Sequence, residues 1–245
     1  MSSVSSGSWK AAVETVVLIA VAIVLAILVK TFLVQMFYIP SGSMEPGLQG
    51  GPGVKTSDRI LVEKPSYEFG GSPQRGDIIV FSDPGDWLDA SEDATPSGIA
   101  AILEKIGLYP AGGHLVKRVI GVAGDTIVCC DAQGRISVNG TPLAEDDFIA
   151  PQTDCDGPMP GCKPGWSATV PKGKLFVMGD NRDASADSSY HLCKPGQSAA
   201  ACDPNDAFVS TKLVVGKVVA LMWPLGRFKL IHRPDIFSDI APAKH

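Results

Sequence analysis

Residues 115–122 read Leu115-Val116-Lys117-Arg118-Val119-Ile120-Gly121-Val122. Apolar, mostly β-branched residues flank two adjacent cations, which is the composition of a strand rather than a helix. Strand alternation sends Lys117 and Arg118 to opposite faces, so one of them must face inward. One reading is a sheet edge guarded by charge. The other is a buried lysine that serves as a base. Its free pKa is about 10.4, and work near neutral pH asks for a drop of roughly 2–3 units by desolvation. An apolar wall favours that drop, and a carboxylate alongside opposes it.

Outward from this stretch the pattern repeats. RILVEK (59–64), DIIVF (77–81), TIVCC (126–130), KLFVM (174–178), KVVALMW (217–223) and FKLI (228–231) are short β-like runs divided by turn residues. RISVNGTPL carries Asn139-Gly140 between two apolar stretches, a hairpin signal. The 26 Gly and 19 Pro among 245 residues favour many turns and short strands. The fold expected is mainly β: an antiparallel β-barrel-like body over residues 37–245, with a smaller β-rich subdomain at about 124–175. Residues 83–113 are rich in Gly, Pro, Asp and Ala, and read as an insertion holding one short helix at 99–106.

The N-terminal part differs. Residues 16–29, VVLIAVAIVLAILV, are unbroken apolar sequence, and between Ala11 and Met36 the only charges are Glu14 and Lys30. A helix over 11–36 can cross about 30 Å of hydrocarbon, with Lys30 snorkelling to an interface. The run has no polar face, unlike a core helix. It also lacks the basic start and small-residue cleavage site of a removable leader. The expectation is a single-pass anchor preceded by a cytoplasmic tail, 1–10. Lys10 and Lys30 balance, so the cysteines set the orientation. Cys129, Cys130, Cys155, Cys162, Cys193 and Cys202 all follow the apolar run, and as disulfides they place the body outside the cytoplasm. Cys193 and Cys202 are expected to close a small loop, while Cys129 and Cys130 pair with Cys155 and Cys162 or with each other. Zinc is the rival reading, but no CxxC pair occurs. The net charge of −5 gives no basic nucleic-acid surface.

Two further segments place polar residues where strands do not need them. Ile39-Pro40-Ser41-Gly42-Ser43-Met44-Glu45-Pro46 follows the apolar helix, and Gly42 permits a turn that presents a serine. Gly179 to Ser188 reads GDNRDASADS, a loop in which Asp and Asn lock turns and Arg182 can bridge carboxylates. Each alone also reads as a plain turn or a solvated acidic loop.

With Arg75-Gly76-Asp77-Ile78-Ile79-Val80-Phe81 and Lys117 to Asp125, these segments resemble, in order, the four motifs of the bacterial type I signal peptidase (leader peptidase) family. The resemblance covers about 37–223. It implies a membrane-anchored serine endopeptidase without metal or cofactor. Its partners are the lipid bilayer and the signal peptides of exported preproteins, cut after Ala-x-Ala-type sites. It implies Ser43 as nucleophile and Lys117 as general base. Ser41 Oγ joins the Ser43 N–H in the oxyanion hole, and Ser185 orients the Lys117 ammonium. Phe37, Ile39, Met44, Val80 and Val116 become a shallow apolar pocket, and Asp180, Arg182 and Asp187 brace the loop. Three positions depart from the pattern: Gly47 for Thr, Ala184 for Asn, and Ser189 for an Arg. The last puts the loop's bracing in question. Trp87, Trp166 and Trp223 are candidates for interfacial contact, with core packing expected for at least one of them. Two other classes compete: a tethered, non-enzymatic β-domain that binds peptides, and a self-cleaving regulator, which would carry a DNA-binding domain where this chain has an anchor.

Overall fold

The computed structural model describes residues 5–85, 87–88, 113–151, 165–194, 196–198 and 201–243. The apolar run forms helix α1 (Ser5–Phe32). It stands clear of the body, with Val16, Leu18, Ile19, Ile23, Val24 and Leu25 among its exposed side chains. It is the one helix among the described residues long and apolar enough to cross a membrane. It ends four residues earlier than the composition suggests. Strand β1 (Val34–Tyr38) starts almost at once, because VQMFY finds a partner: it pairs antiparallel with β2 (Arg59–Glu63), from Val34 opposite Glu63 to Tyr38 opposite Arg59. Ladder bonds and burial of Phe37 offer this segment more than another helical turn.

The body is mainly β and antiparallel. After a short helix α2 (Pro65–Glu68) come β3 (Ile78–Ser82) and β4 (His114–Val122). Then β5 (Thr126–Cys129), β6 (Ser137–Val138), β7 (Thr141–Pro142) and β8 (Trp166–Thr169) make a four-stranded sheet ordered β7-β6-β5-β8. Asn139 (φ 53°) and Gly140 (φ 84°) form the tight turn between β6 and β7 with both residues left-handed, as that dipeptide favours. The large sheet is completed by β9 (Lys174–Met178), β10 (Val209–Ser210), β11 (Val214–Trp223) and β12 (Lys229–Leu230). Its order is β1-β2-β11-β3-β4-β9-β10, with β12 on β11. The short strands β8 and β10 escape sequence reading, since WSAT and VS carry too few residues to show alternation. The expected helix at 99–106, and Cys155 and Cys162, lie outside the described residues. Cys193 is bonded to Cys202, and Cys129 to its neighbour Cys130.

Both faces of the central strands are covered. On β3, Ile78 and Val80 enter one apolar cluster while Ile79 and Phe81 enter another. On β4, Val116 joins the first cluster, Leu115 and Val119 the second. Ile120, Phe176 and Met178 of the large sheet pack with Ile127, Val138 and Ala168 of the small one. This double cover changes the expectation for the two cations: Lys117 (3% exposed) and Arg118 (4%) are both buried.

Candidate active site

The serine turn leaves β1 at Ile39, whose N–H donates to Asp58 O at 2.9 Å. Ser41 is extended, and Gly42–Met44 form one 3-10 turn. Ser41 Oγ donates to Ser43 Oγ at 3.3 Å. A buried Met44 pins the turn to the core. The backbone of Gly50 lies flat on this segment, where a Cβ would run into Ile39 O. Asp58, fully buried, accepts the Gln49 N–H at 2.7 Å and both Nε and Nη2 of Arg227 at 3.1 Å. This ion pair closes the loop that carries Ser43. Sequence reading missed it, for neither residue has any unusual neighbour in the chain.

The acidic loop meets the same turn from the other side. The Asn181 N–H donates to Ser43 O and its Nδ2 to Gly42 O, each at 3.1 Å. Gly179 has no room for a side chain, because a Cβ would strike both Ser185 Oγ and Ser43 O. That contact sets the Ser185 hydroxyl against the serine turn. β4, the strand that carries Lys117, runs beside the same turn.

Each bracing residue has an identifiable partner. Asp180 clamps Arg118 through two 2.7 Å bonds, and Arg118 also donates to Gly76 O and lies over the Phe148 ring. Arg182 is buried, donating to Gly179 O at 2.9 Å and to Glu145 at 2.6 Å. Burial pulls its pKa down, but Glu145, then Asp187 and Asp180, outweigh this, and the net shift is upward. Asp187 accepts from the Gly179 N–H, the Ser185 hydroxyl, and both the N–H and hydroxyl of Ser189. Ser189 thus braces Asp187 by hydrogen bonding, without the charge of an arginine. Glu145 is a further residue that sequence reading missed; it lies 37 positions from Arg182.

Phe37, Ile39, Met44, Val80 and Val116 fall in one buried cluster beside the turn. Lys117 shares the other face of β4 with Leu115 and Val119 by alternation. The three tryptophans separate: Trp87 is buried and stacked on His191, Trp166 is partly buried and stacked on Phe176, and Trp223 is exposed.

The model of a family described as "Signal peptidase, peptidase S26" matches residues 12–223. A probable signal peptidase I of Mycobacterium leprae (strain TN) is 39% identical over 228 residues, 88% of this chain and 77% of the relative. Signal peptidase I of Mycobacterium tuberculosis (strain ATCC 25618 / H37Rv) is 38% identical over 231 residues, 89% of this chain and 74% of the relative. Signal peptidase I of Leptolyngbya laminosa is 32% identical over 224 residues, 91% and 86% respectively.

Proposed function

Because this chain belongs to the signal peptidase family, peptidase S26, we propose that it cuts signal peptides from exported preproteins after Ala-x-Ala-type sites, using Ser43 and Lys117. The observation that carries this reading is the convergence at Gly179. The Ser43 carbonyl and the Ser185 hydroxyl both press on that one residue, and the strand bearing a buried lysine borders the same turn.

The chemistry follows from the groups present. Lys117, as a neutral amine in an apolar wall, takes the Ser43 proton while Ser43 Oγ attacks the scissile carbonyl. The oxyanion that forms receives the Ser43 N–H and the Ser41 hydroxyl. Ser41 Oγ lies 3.3 Å from the attacking oxygen, Ser43 Oγ. The Lys117 ammonium, held by Ser185, returns its proton to the leaving amine. An ester on Ser43 remains, and Lys117 activates the water that hydrolyses it. Phe37, Ile39, Met44, Val80 and Val116, apolar residues of one buried cluster, are taken as the walls of the substrate pocket. Such walls accept alanine and reject large or charged side chains by sterics and desolvation.

The anchor is read as a single membrane pass, with 1–10 cytoplasmic and the catalytic body outside, in line with the disulfides among the described residues. The large sheet adds a second contact with lipid. Met36 and Leu230 lie on one rung across β1, β2, β11 and β12, and Tyr38 and Trp223 both pair with Arg59. All four side chains are exposed, on the face opposite Phe37 and Ile60.

The test uses the full chain in detergent and a peptide with an Ala-x-Ala site. Ser43→Ala and Lys117→Met should each lower kcat by about 10³-fold or more. Lys117→Arg should be equally inactive, since a guanidinium does not deprotonate. Full activity in any of the three removes the mechanism.

A further inference from the structure

Asp187 is a buried carboxylate whose acceptor positions are all taken by neutral donors. Oδ2 accepts the Gly179 N–H at 2.9 Å and the Ser185 hydroxyl at 2.6 Å. Oδ1 accepts the Ser189 N–H at 3.0 Å and the Ser189 hydroxyl at 2.7 Å. An ionised carboxylate has about four lone-pair sites, so the set is complete. Asp187, Ser185 and Ser189 are each at most 1% exposed, so water does not compete for these bonds.

A hydroxyl has a single proton. That of Ser185 points at Asp187, which leaves Ser185 Oγ only lone pairs for its other neighbours. Such an oxygen can hold an N–H of an amine but cannot donate to the amine's own lone pair. A serine free to rotate could do either, and donation would occupy the electrons that must receive the Ser43 proton.

We propose that Asp187, fixed by Ser189, is a positioning residue for Lys117: it makes Ser185 an obligate acceptor and so leaves the amine lone pair for Ser43. The inference rests on the Ser43–Lys117 reading above. The same carboxylate puts negative charge behind Ser185, which favours the ammonium form. The charged groups of the same cluster are Arg182, Glu145 and Asp180, with Arg118 on β4 beside Asp180 and His191 on its own loop; Lys117 is the neighbouring cation of β4. Arg118 pairs with Asp180 and Arg182 with Glu145. His191 Nδ1 meets the Asp187 carbonyl, 2.8 Å away, and not the carboxylate.

The test measures kcat and KM against pH for the full chain in detergent micelles, with an Ala-x-Ala peptide. Asparagine at 187 turns an NH2 toward the donors on one side or the other, so it cannot keep all four bonds. Asp187→Asn should lower kcat by about 10–100-fold with KM within about twofold. The acid limb of its rate profile should move to lower pH by about half a unit or more, because a negative charge that favoured the ammonium has gone. On the high-pH plateau, Ser185→Ala/Asp187→Asn should be no slower than Ser185→Ala alone, within about twofold, since Asp187 acts through Ser185. Losses that multiply, or an unmoved acid limb, overturn the proposal. Should Asp187→Asn not fold, Ser189→Ala probes the same coupling. It should cost about 3–10-fold in kcat alone and nothing further on the Ser185→Ala background. An unchanged rate in Ser189→Ala, or a further loss on that background, overturns the proposal. Full activity in Lys117→Met would sink the base assignment itself. An inactive Lys117→Met with multiplying losses at 185 and 187 sinks the positioning role alone.

Discussion

At the scale of single residues, the site depends as much on a missing side chain as on those present. Gly179 brings Ser185 Oγ and Ser43 O together because nothing stands between them. A methyl group there must push one of them away, and misplacement by about 1 Å costs on the order of 10²-fold in rate. Gly179→Ala should therefore lose most of its kcat while remaining folded, with a lowered Tm. Circular dichroism melts beside peptide cleavage assays check this; a wild-type rate would show the close approach to be incidental. Burial of Lys117 and Arg118 side by side is the second residue-scale feature. Arg118 is clamped by Asp180 through two bonds, and strand alternation puts Lys117 on the face that carries Leu115 and Val119.

Among the elements, β4 and the 179–188 loop act as one unit, joined by the Arg118–Asp180 pair. Both partners are buried, so removing one strands the other's charge. Arg118→Met should cost about 3–5 kcal/mol in stability. Arg118→Met/Asp180→Leu, which removes both charges, should recover a large part of that. Urea unfolding of the single and double variants measures the difference, and a double variant as unstable as the single would refute it. Strand β1 shows how an element boundary is fixed. Its five residues are apolar enough to continue α1, yet Lys64 N–H bonds Leu33 O and the β2 ladder follows.

Across the whole molecule, Asp77 ties distant parts of the chain to the start of β3. It accepts from Tyr67, Arg233 and the Gln74 N–H, and pairs with Lys217. Burial raises its pKa, but the Gln74 N–H, Arg233 and Lys217 together outweigh this and hold it below the usual aspartate value. The native state then binds the Asp77 proton less readily than the unfolded chain. Its contribution to stability is present above the ordinary aspartate pKa and fades as pH falls through that value and below. Wild type should exceed Asp77→Asn in stability at pH 7, and the gap should shrink toward pH 3. Denaturant unfolding at both pH values measures it, and a constant gap would refute the linkage. The exposed face bearing Met36, Tyr38, Trp223 and Leu230 makes its own prediction. Changing Met36 and Leu230 to Ser should weaken sedimentation with lipid vesicles for a form lacking residues 1–32, and leave cleavage in detergent within about twofold. Vesicle binding equal to that of the unchanged form would mean that this face does not meet lipid.

The amino-acid sequence by itself determined the mainly β body, the apolar helix before it, the Asn139-Gly140 turn and which segments are candidates for the site. These are properties of neighbours in the chain: alternation, turn chemistry and runs of one polarity report the local environment directly. Tertiary structure alone decided that both Lys117 and Arg118 are buried, that Arg182 meets Glu145, that Asp58 meets Arg227 from 169 positions away, and that the Ser185 proton points at Asp187. Such pairings follow from which strands lie side by side and which faces are covered. A periodic pattern says that a residue is inside but not what waits for it there.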